Sequence, residues 1–256
     1  MITKEKKIRY ISLRGDRKEM IINTYNFDFN ARFICNYLSK AVRPLKLVGD
    51  GNYTMITVDI TPNETKASYS LVSDDVIDIK LNLSADEQLA YNAMSKIEDR
   101  YEFYLSCLER GYRFAEDEFK VPVKELLQLH QQFRDGGYKK EWMWIKKHLR
   151  EYGIYVVFRC KFTTFDFTLN LEVYDLKKTR LITEGLVFRT GPGEFFFDKA
   201  FKKIEIKNNA LYVLDFLSRP VFSFDLNKLR DGIYNVDYLG NVAKENLNDL
   251  IKRITW

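Results

Sequence analysis

Histidine is nearly missing from this chain: 256 residues hold two, His130 and His148. A serine or cysteine nucleophile ordinarily needs an imidazole base, so most arrangements for covalent hydrolysis are hard to build here. Both histidines have charged or amide neighbours and read as solvent-facing helix residues. Cysteine is scarce as well. Cys35, Cys107 and Cys160 are odd in number, far apart and set among apolar residues, the pattern of reduced, buried thiols in a cytoplasmic protein. Cys107, beside Leu105 and Leu108, reads as a core thiol without special reactivity.

Other absences narrow the chemistry further. There is no Cys-x-x-Cys, no histidine pair one helical turn apart and no EF-hand carboxylate ladder, so no metal site is expected. No Gly-x-Gly-x-x-Gly or P-loop occurs, and no cofactor is expected. The Gly49-Asp50-Gly51-Asn52 cluster leads into a strand rather than a helix and reads as a turn. No apolar run is long enough to span a bilayer, and Met1–Arg14 lacks the apolar core of a signal peptide, so neither membrane contact nor secretion is expected. With five prolines and no Pro-, Gly- or Ser-rich linker, the chain reads as one body rather than separate beads.

What the sequence does contain is aromatic. Nineteen Phe, sixteen Tyr and three Trp make up 15% of the chain, enough for a core dominated by rings or for an aromatic-lined contact surface. The net charge is +5 with a pI near 8.9. Lys4, Lys6, Lys7 and Arg9 form one basic cluster, and Lys199, Lys202, Lys203 and Lys207 another. Both are sparser than a nucleic-acid footprint usually is.

Periodicity predicts an α+β fold, with antiparallel sheet regions at both ends of the chain around a central helical segment. Residues 1–83 read as a β-rich part with one helix. Short strands surround a hairpin at Gly15-Asp16-Arg17, a helix runs from Asn30 to about Ala41, and alternating runs follow at Ile56–Ile60, Ala67–Leu71 and Ile77–Leu83. Residues 84–152 read as helical. Ser84 and Glu87 form a capping box, and a stripe from Leu89 and Ala93 through Ile97 to Tyr112 extends one helix that Gly111 closes. Further helices are predicted at Val121–Asp135 and Lys139–Glu151. Residues 153–256 read as antiparallel strands with a C-terminal helix near Asn241–Ile254. Asn208-Asn209 is suited to the positive φ angles of a tight hairpin.

For chemistry, one arrangement is worth stating. Asp198 followed by Glu205-Ile206-Lys207 loosely resembles the acidic pair and lysine of metal-dependent nucleases, in which carboxylates hold Mg²⁺ and the lysine steadies the attacking water. Asp78-Ile79-Lys80 matches the same short pattern, as alternating charged strands do by chance. On the helix predicted at 139–151, Trp142, Ile145 and Leu149 share a core-facing side. Trp144 lies with Lys140 and Lys147 on another.

The sequence therefore reads as a non-enzymatic protein-binding module with no catalytic residues. An immunity-type inhibitor, which neutralises a toxin by blocking its active site, is the form that fits its size and lack of motifs. Trp144, Tyr138 and Arg150, with the acidic Glu116-Asp117-Glu118 connector, are the candidate contact residues. A basic chain suits a partner with a neutral or acidic face better than a basic nuclease. A nucleic-acid-binding protein, or the Asp198, Glu205 and Lys207 nuclease, is the alternative.

Overall fold

The computed structural model describes residues 5–16, 20–73, 75–193, 197 and 200–239. Helix and strand are both prominent, and the chain is α+β. It divides into two units, Met1–Lys139 and Lys140–Trp256, so the boundary falls within the segment predicted to be helical.

The first unit carries a four-stranded sheet in the order β1 (Tyr10–Gly15), β2 (Met55–Thr61), β4 (Val76–Asn82), β3 (Lys66–Tyr69). The antiparallel expectation is corrected here. β1 pairs with β2 and β2 with β4 in parallel, and only β3 runs against its neighbour. Ile11, Leu13, Ile56, Val58, Ile60, Ile77, Ile79 and Leu81 share the apolar face and are buried. The other face carries Arg14, Asp59, Asp78 and Lys80, whose alternation with the apolar set gave the one-wet-face pattern. Such a pattern usually marks antiparallel pairing, but here the polar face of central strand β2 is itself buried, at Thr57, Asp59 and Thr61.

Helix α1 (Thr24–Val42) makes the crossover from β1 to β2 and starts six residues earlier than predicted. The side chain of Asn23 caps it by accepting the backbone N–H of Asn26 at 3.1 Å. The expectation of a second hairpin arm at Glu19–Tyr25 is corrected over its described part, where Thr24 and Tyr25 already belong to α1. Instead Ile21 donates its N–H to the side chain of Gln88 at 2.7 Å.

The predicted capping box is present. Ser84 accepts the N–H of Glu87, and the Glu87 carboxylate accepts that of Ser84 at 2.9 Å. The helix it opens is short, however. α2 (Ala85–Ala93) ends where Met94 turns extended, and α3 (Ile97–Phe114) begins anew. The break resets the helical phase, so α2 buries Gln88 and Tyr91 and leaves Leu89 exposed. Gly111 does not end α3. It lets the helix approach β2, because a Cβ there would lie 2.6 Å from Val58 Cγ2. α4 (Glu116–Phe119) and α5 (Val123–Asp135) complete the helical layer.

The second unit packs two antiparallel sheets face to face. One is a meander of β5 (Glu141–Leu149), β6 (Ile154–Phe162), β7 (Phe167–Asp175) and β8 (Leu181–Thr190). The other orders β9 (Lys203–Lys207), β10 (Ala210–Leu214), β11 (Pro220–Asp225) and β12 (Asp237–Tyr238), with α6 (Leu226–Arg230) after β11. Phe158 meets Phe224, and Phe188 meets Phe222, with ring centroids 5.8 and 5.9 Å apart. Leu211 pairs with Ile206 and Val213 with Ile204 across Asn208-Asn209, whose φ angles are 52° and 60°. That hairpin was legible from sequence.

The helix predicted at Lys139–Glu151 is strand β5. A bulge between Met143 and Ile145 shifts its phase by one residue. Trp142, Ile145 and Leu149 thereby fall three and four apart, as they would on a helix face, although the backbone is extended. The helix predicted near Asn241–Ile254 lies outside the described residues.

Candidate functional site

In a parallel sheet the loops collect at the strand ends. In the first unit the end from which β1, β2 and β4 start gathers four segments that are distant in sequence. Lys6 donates its N–H to Gly51 at 2.9 Å, Ile8 to Leu47 at 2.9 Å and Arg9 to Thr54 at 2.8 Å. Thr54 donates to Asp75 at 2.7 Å, and Asp50 to Phe119 at 3.1 Å. Residues 5–9, 43–54, 69–73, 75–76 and 115–120 thus form one surface.

Its exposed side chains are both apolar and charged. At the β3–β4 hairpin tip Leu71 is 104% and Val72 95% exposed. Tyr69, at the foot of that hairpin, rests its ring on Phe119 of α4, with centroids 5.2 Å apart. Its hydroxyl donates to the Asp50 carboxylate. Burial first, and then that hydrogen bond and the nearby Glu118, push the Tyr69 phenol above its ordinary pKa. Asp75, at the other foot, accepts from Ser73 at 2.6 Å and Thr54 at 3.0 Å, and these bonds hold its carboxyl below the usual range.

Of the candidate contact residues, Glu116, Asp117 and Glu118 belong to this surface, exposed on α4. Glu116 also rims a groove of about 440 Å³ between α3 and α5, with Val123 and Leu127 on its apolar wall and Arg113 and Lys124 beside them. Tyr138 lies elsewhere in the same unit. It follows α5 at φ 55°, and its hydroxyl donates to Glu102 at 2.6 Å beside the Arg134 ion pair. Trp144 and Arg150 are in the second unit. Trp144 occupies the β5 bulge, half-buried against Phe158 and Phe201 with centroids 5.6 and 4.8 Å away, and Arg150 is exposed just after the strand. The six candidates therefore do not form a single cluster within either unit.

The nuclease triplet is only partly described. Glu205 and Lys207 are exposed on β9, where Glu205 pairs with Lys203 at 2.6 Å, and Asp198 lies outside the described residues. Among the described residues no group of His, Cys, Asp and Glu is placed to hold a metal ion.

The histidine expectations are corrected. His130 is on α5 but fully buried, and burial lowers its pKa to about 4. His148 is exposed, but on strand β5, with its ring 4.5 Å from that of Tyr155. Cys107 is buried, which pushes its thiol up to about 12, and so it is inert at neutral pH. Among the described residues no helix is long and apolar enough to cross a membrane.

Sequence reasoning singled out the acidic connector and did not single out the hairpin tip. Leu71 read as the last inward residue of an alternating strand, whereas β3 ends at Tyr69. The signal that could have found it is the Ser73-Asp74-Asp75 run, which favours a turn directly after two apolar residues. No protein-family model, curated protein or solved structure matches this chain.

Proposed function

We propose that this chain is a protein-binding module that works without a cofactor, as an immunity-type inhibitor that covers the active site of a toxin. The observation that carries the reading is the β3–β4 tip. Leu71 and Val72 are adjacent, wholly exposed and seated beside Tyr69 and the acidic α4 turn. Apolar side chains left in water forgo about 1.5–3 kcal/mol each, which a covering partner would recover. An apolar centre ringed by polar and charged groups is the usual anatomy of a protein interface. The three cysteines are buried free thiols, consistent with a reducing compartment such as the cytoplasm.

The test is capture of a partner from the native host, followed by calorimetry with the purified pair. One partner should bind at a fixed stoichiometry. A Leu71→Ser/Val72→Ser variant should keep its melting temperature and lose at least tenfold in affinity. Salt-sensitive binding to DNA or RNA with no protein partner would overturn the reading. So would Mg²⁺-dependent turnover abolished by Glu205→Gln.

A further inference from the structure

At the same end of the first unit as the β3–β4 tip, but on the opposite edge strand of the sheet, Tyr10 is 42% exposed and lies near two guanidinium groups. The Arg43 guanidinium lies 4.9 Å from the centre of its ring and that of Arg9 6.0 Å. Arg43 Nε donates to the Arg9 carbonyl at 3.2 Å, which tethers the side chain. Lys7 and Lys46 are exposed on the same two segments. Among the described residues none of Lys7, Arg9, Arg43 and Lys46 forms an ion pair.

Part of this basicity has a local cause. Arg43 follows the C-terminus of α1, where the helix dipole favours a cation. That does not account for Lys7 and Arg9, which come from the strand segment entering β1. Nor does it explain why two guanidinium groups lie within 6.0 Å of the centre of one ring. A stacked, tethered arginine has already lost most of its side-chain freedom, so its planar fork can take a carboxylate at little further entropic cost.

We propose that the Arg9–Tyr10–Arg43 cluster, with Lys7 and Lys46, is a docking anchor for an acidic protein surface bearing paired carboxylates. This rests on the protein-binding reading and supplies its partner chemistry. Two observations favour a protein over a nucleic acid. The patch is short and has an acidic border: the Glu5 side chain lies 3.7 Å from where a Gly51 Cβ would be, and Asp50 and Asp75 stand close by. A continuous phosphate backbone would run into those carboxylates, whereas a discrete carboxylate pair would not. Tyrosine and arginine are also the residue types that dominate protein interface energetics. With Leu71 and Val72 on the same end, the anchor adds a charged element to an apolar one, which sets orientation and speeds encounter.

The probe is a fluorescein-labelled deca-glutamate peptide, followed by anisotropy at low salt with the full chain. Deca-glutamine and a ten-nucleotide oligothymidylate serve as comparators. Deca-glutamate should bind in preference to both. Arg9→Ala/Arg43→Ala should weaken it by about tenfold or more. Arg43→Lys, which keeps the charge and loses the fork, should weaken it severalfold. Circular dichroism checks that each variant folds, and Arg9→Gln/Arg43→Gln stands in if the alanine pair does not. Equal or tighter binding of oligothymidylate overturns the assignment, as does deca-glutamate binding that is absent or unchanged by these substitutions. A protein partner whose affinity survives Arg9→Ala/Arg43→Ala overturns the assignment while leaving the protein-binding reading intact. A patch that binds deca-glutamate in a chain that captures no protein overturns the protein-binding reading, and with it the docking role, while the carboxylate preference of the cluster stands.

Discussion

His130 and Tyr112 lie ring against ring in the helical layer of the first unit, with centroids 5.7 Å apart. Among the described residues neither the Tyr112 hydroxyl nor either nitrogen of His130 has a hydrogen-bond partner. An unsatisfied buried polar group costs about 1–3 kcal/mol. The pair is therefore a weak point in a layer whose other buried polar groups, such as Gln88 and the Tyr91 and Tyr104 hydroxyls, are hydrogen-bonded.

A pH dependence follows. Burial, with the Arg134 charge beside it, lowers the His130 pKa from 6.5 to about 4, despite the opposing Glu109 and Glu102 carboxylates. The unfolded chain takes up a proton near 6.5 and the folded chain only near 4, so stability falls as pH drops through that window and levels off below it. The loss attributable to this residue is about 3 kcal/mol at most. Urea unfolding followed between pH 7 and about 4 should show a shallower decline in His130→Phe than in the parent chain.

Asp59 tests the polar face of the same sheet. It is 6% exposed and bridges Arg14 at 2.9 Å and Lys80 at 2.5 Å across the register of β1, β2 and β4. Asp59→Asn keeps the shape, removes the carboxylate from Lys80 and leaves Arg14 only Asp78, 3.9 Å away. Because Arg14 and Lys80 reach water, the cost should lie between those of an exposed and a buried pair, about 2 kcal/mol by urea unfolding.

Gly111→Ala separates helix propensity from packing. In an unconstrained helix the change would stabilise by about 1 kcal/mol. Here the new methyl meets Val58 at 2.6 Å, with its other methyl at 3.1 Å, so the substitution should destabilise by about 1–3 kcal/mol. Adding Val58→Ala should recover part of that loss, a coupling that a double-mutant cycle measures.

Trp144→Glu should act on stability before it acts on any partner. The half-buried ring packs against Phe158 and Phe201, and removing it should cost about 1–3 kcal/mol, less than for a fully buried Trp. A shifted thermal transition in this variant, set beside the unchanged one expected of Leu71→Ser/Val72→Ser, would distinguish a core residue from a contact residue.

How much of this could be read beforehand depended on how local the cause was. The Ser84–Glu87 box and the Asn208-Asn209 hairpin were legible because a few neighbouring residues determine them. The β5 bulge was not, since one extra residue makes a strand imitate helical spacing. Parallel pairing was hidden because alternation records which face is wet and not which way the neighbour runs. The candidate surface was only half visible. Lys7 and Arg9 stood out as a basic run, but nothing in the sequence places Arg43 against Tyr10, because the crossover through α1 brings them together.

The two sheet layouts set unequal folding problems for one chain. In the second unit every neighbouring pair within a sheet is also consecutive in sequence, so each hairpin can zip as soon as its own turn closes. In the first unit Tyr10 must find Met55 across the whole of α1, and β2 must pass over β3 to reach β4. Closing such loops costs entropy before any pairing repays it, which slows folding. During synthesis the half with the slower topology is the first to leave the ribosome, and β1 must wait for some forty residues of chain before its partner strand exists.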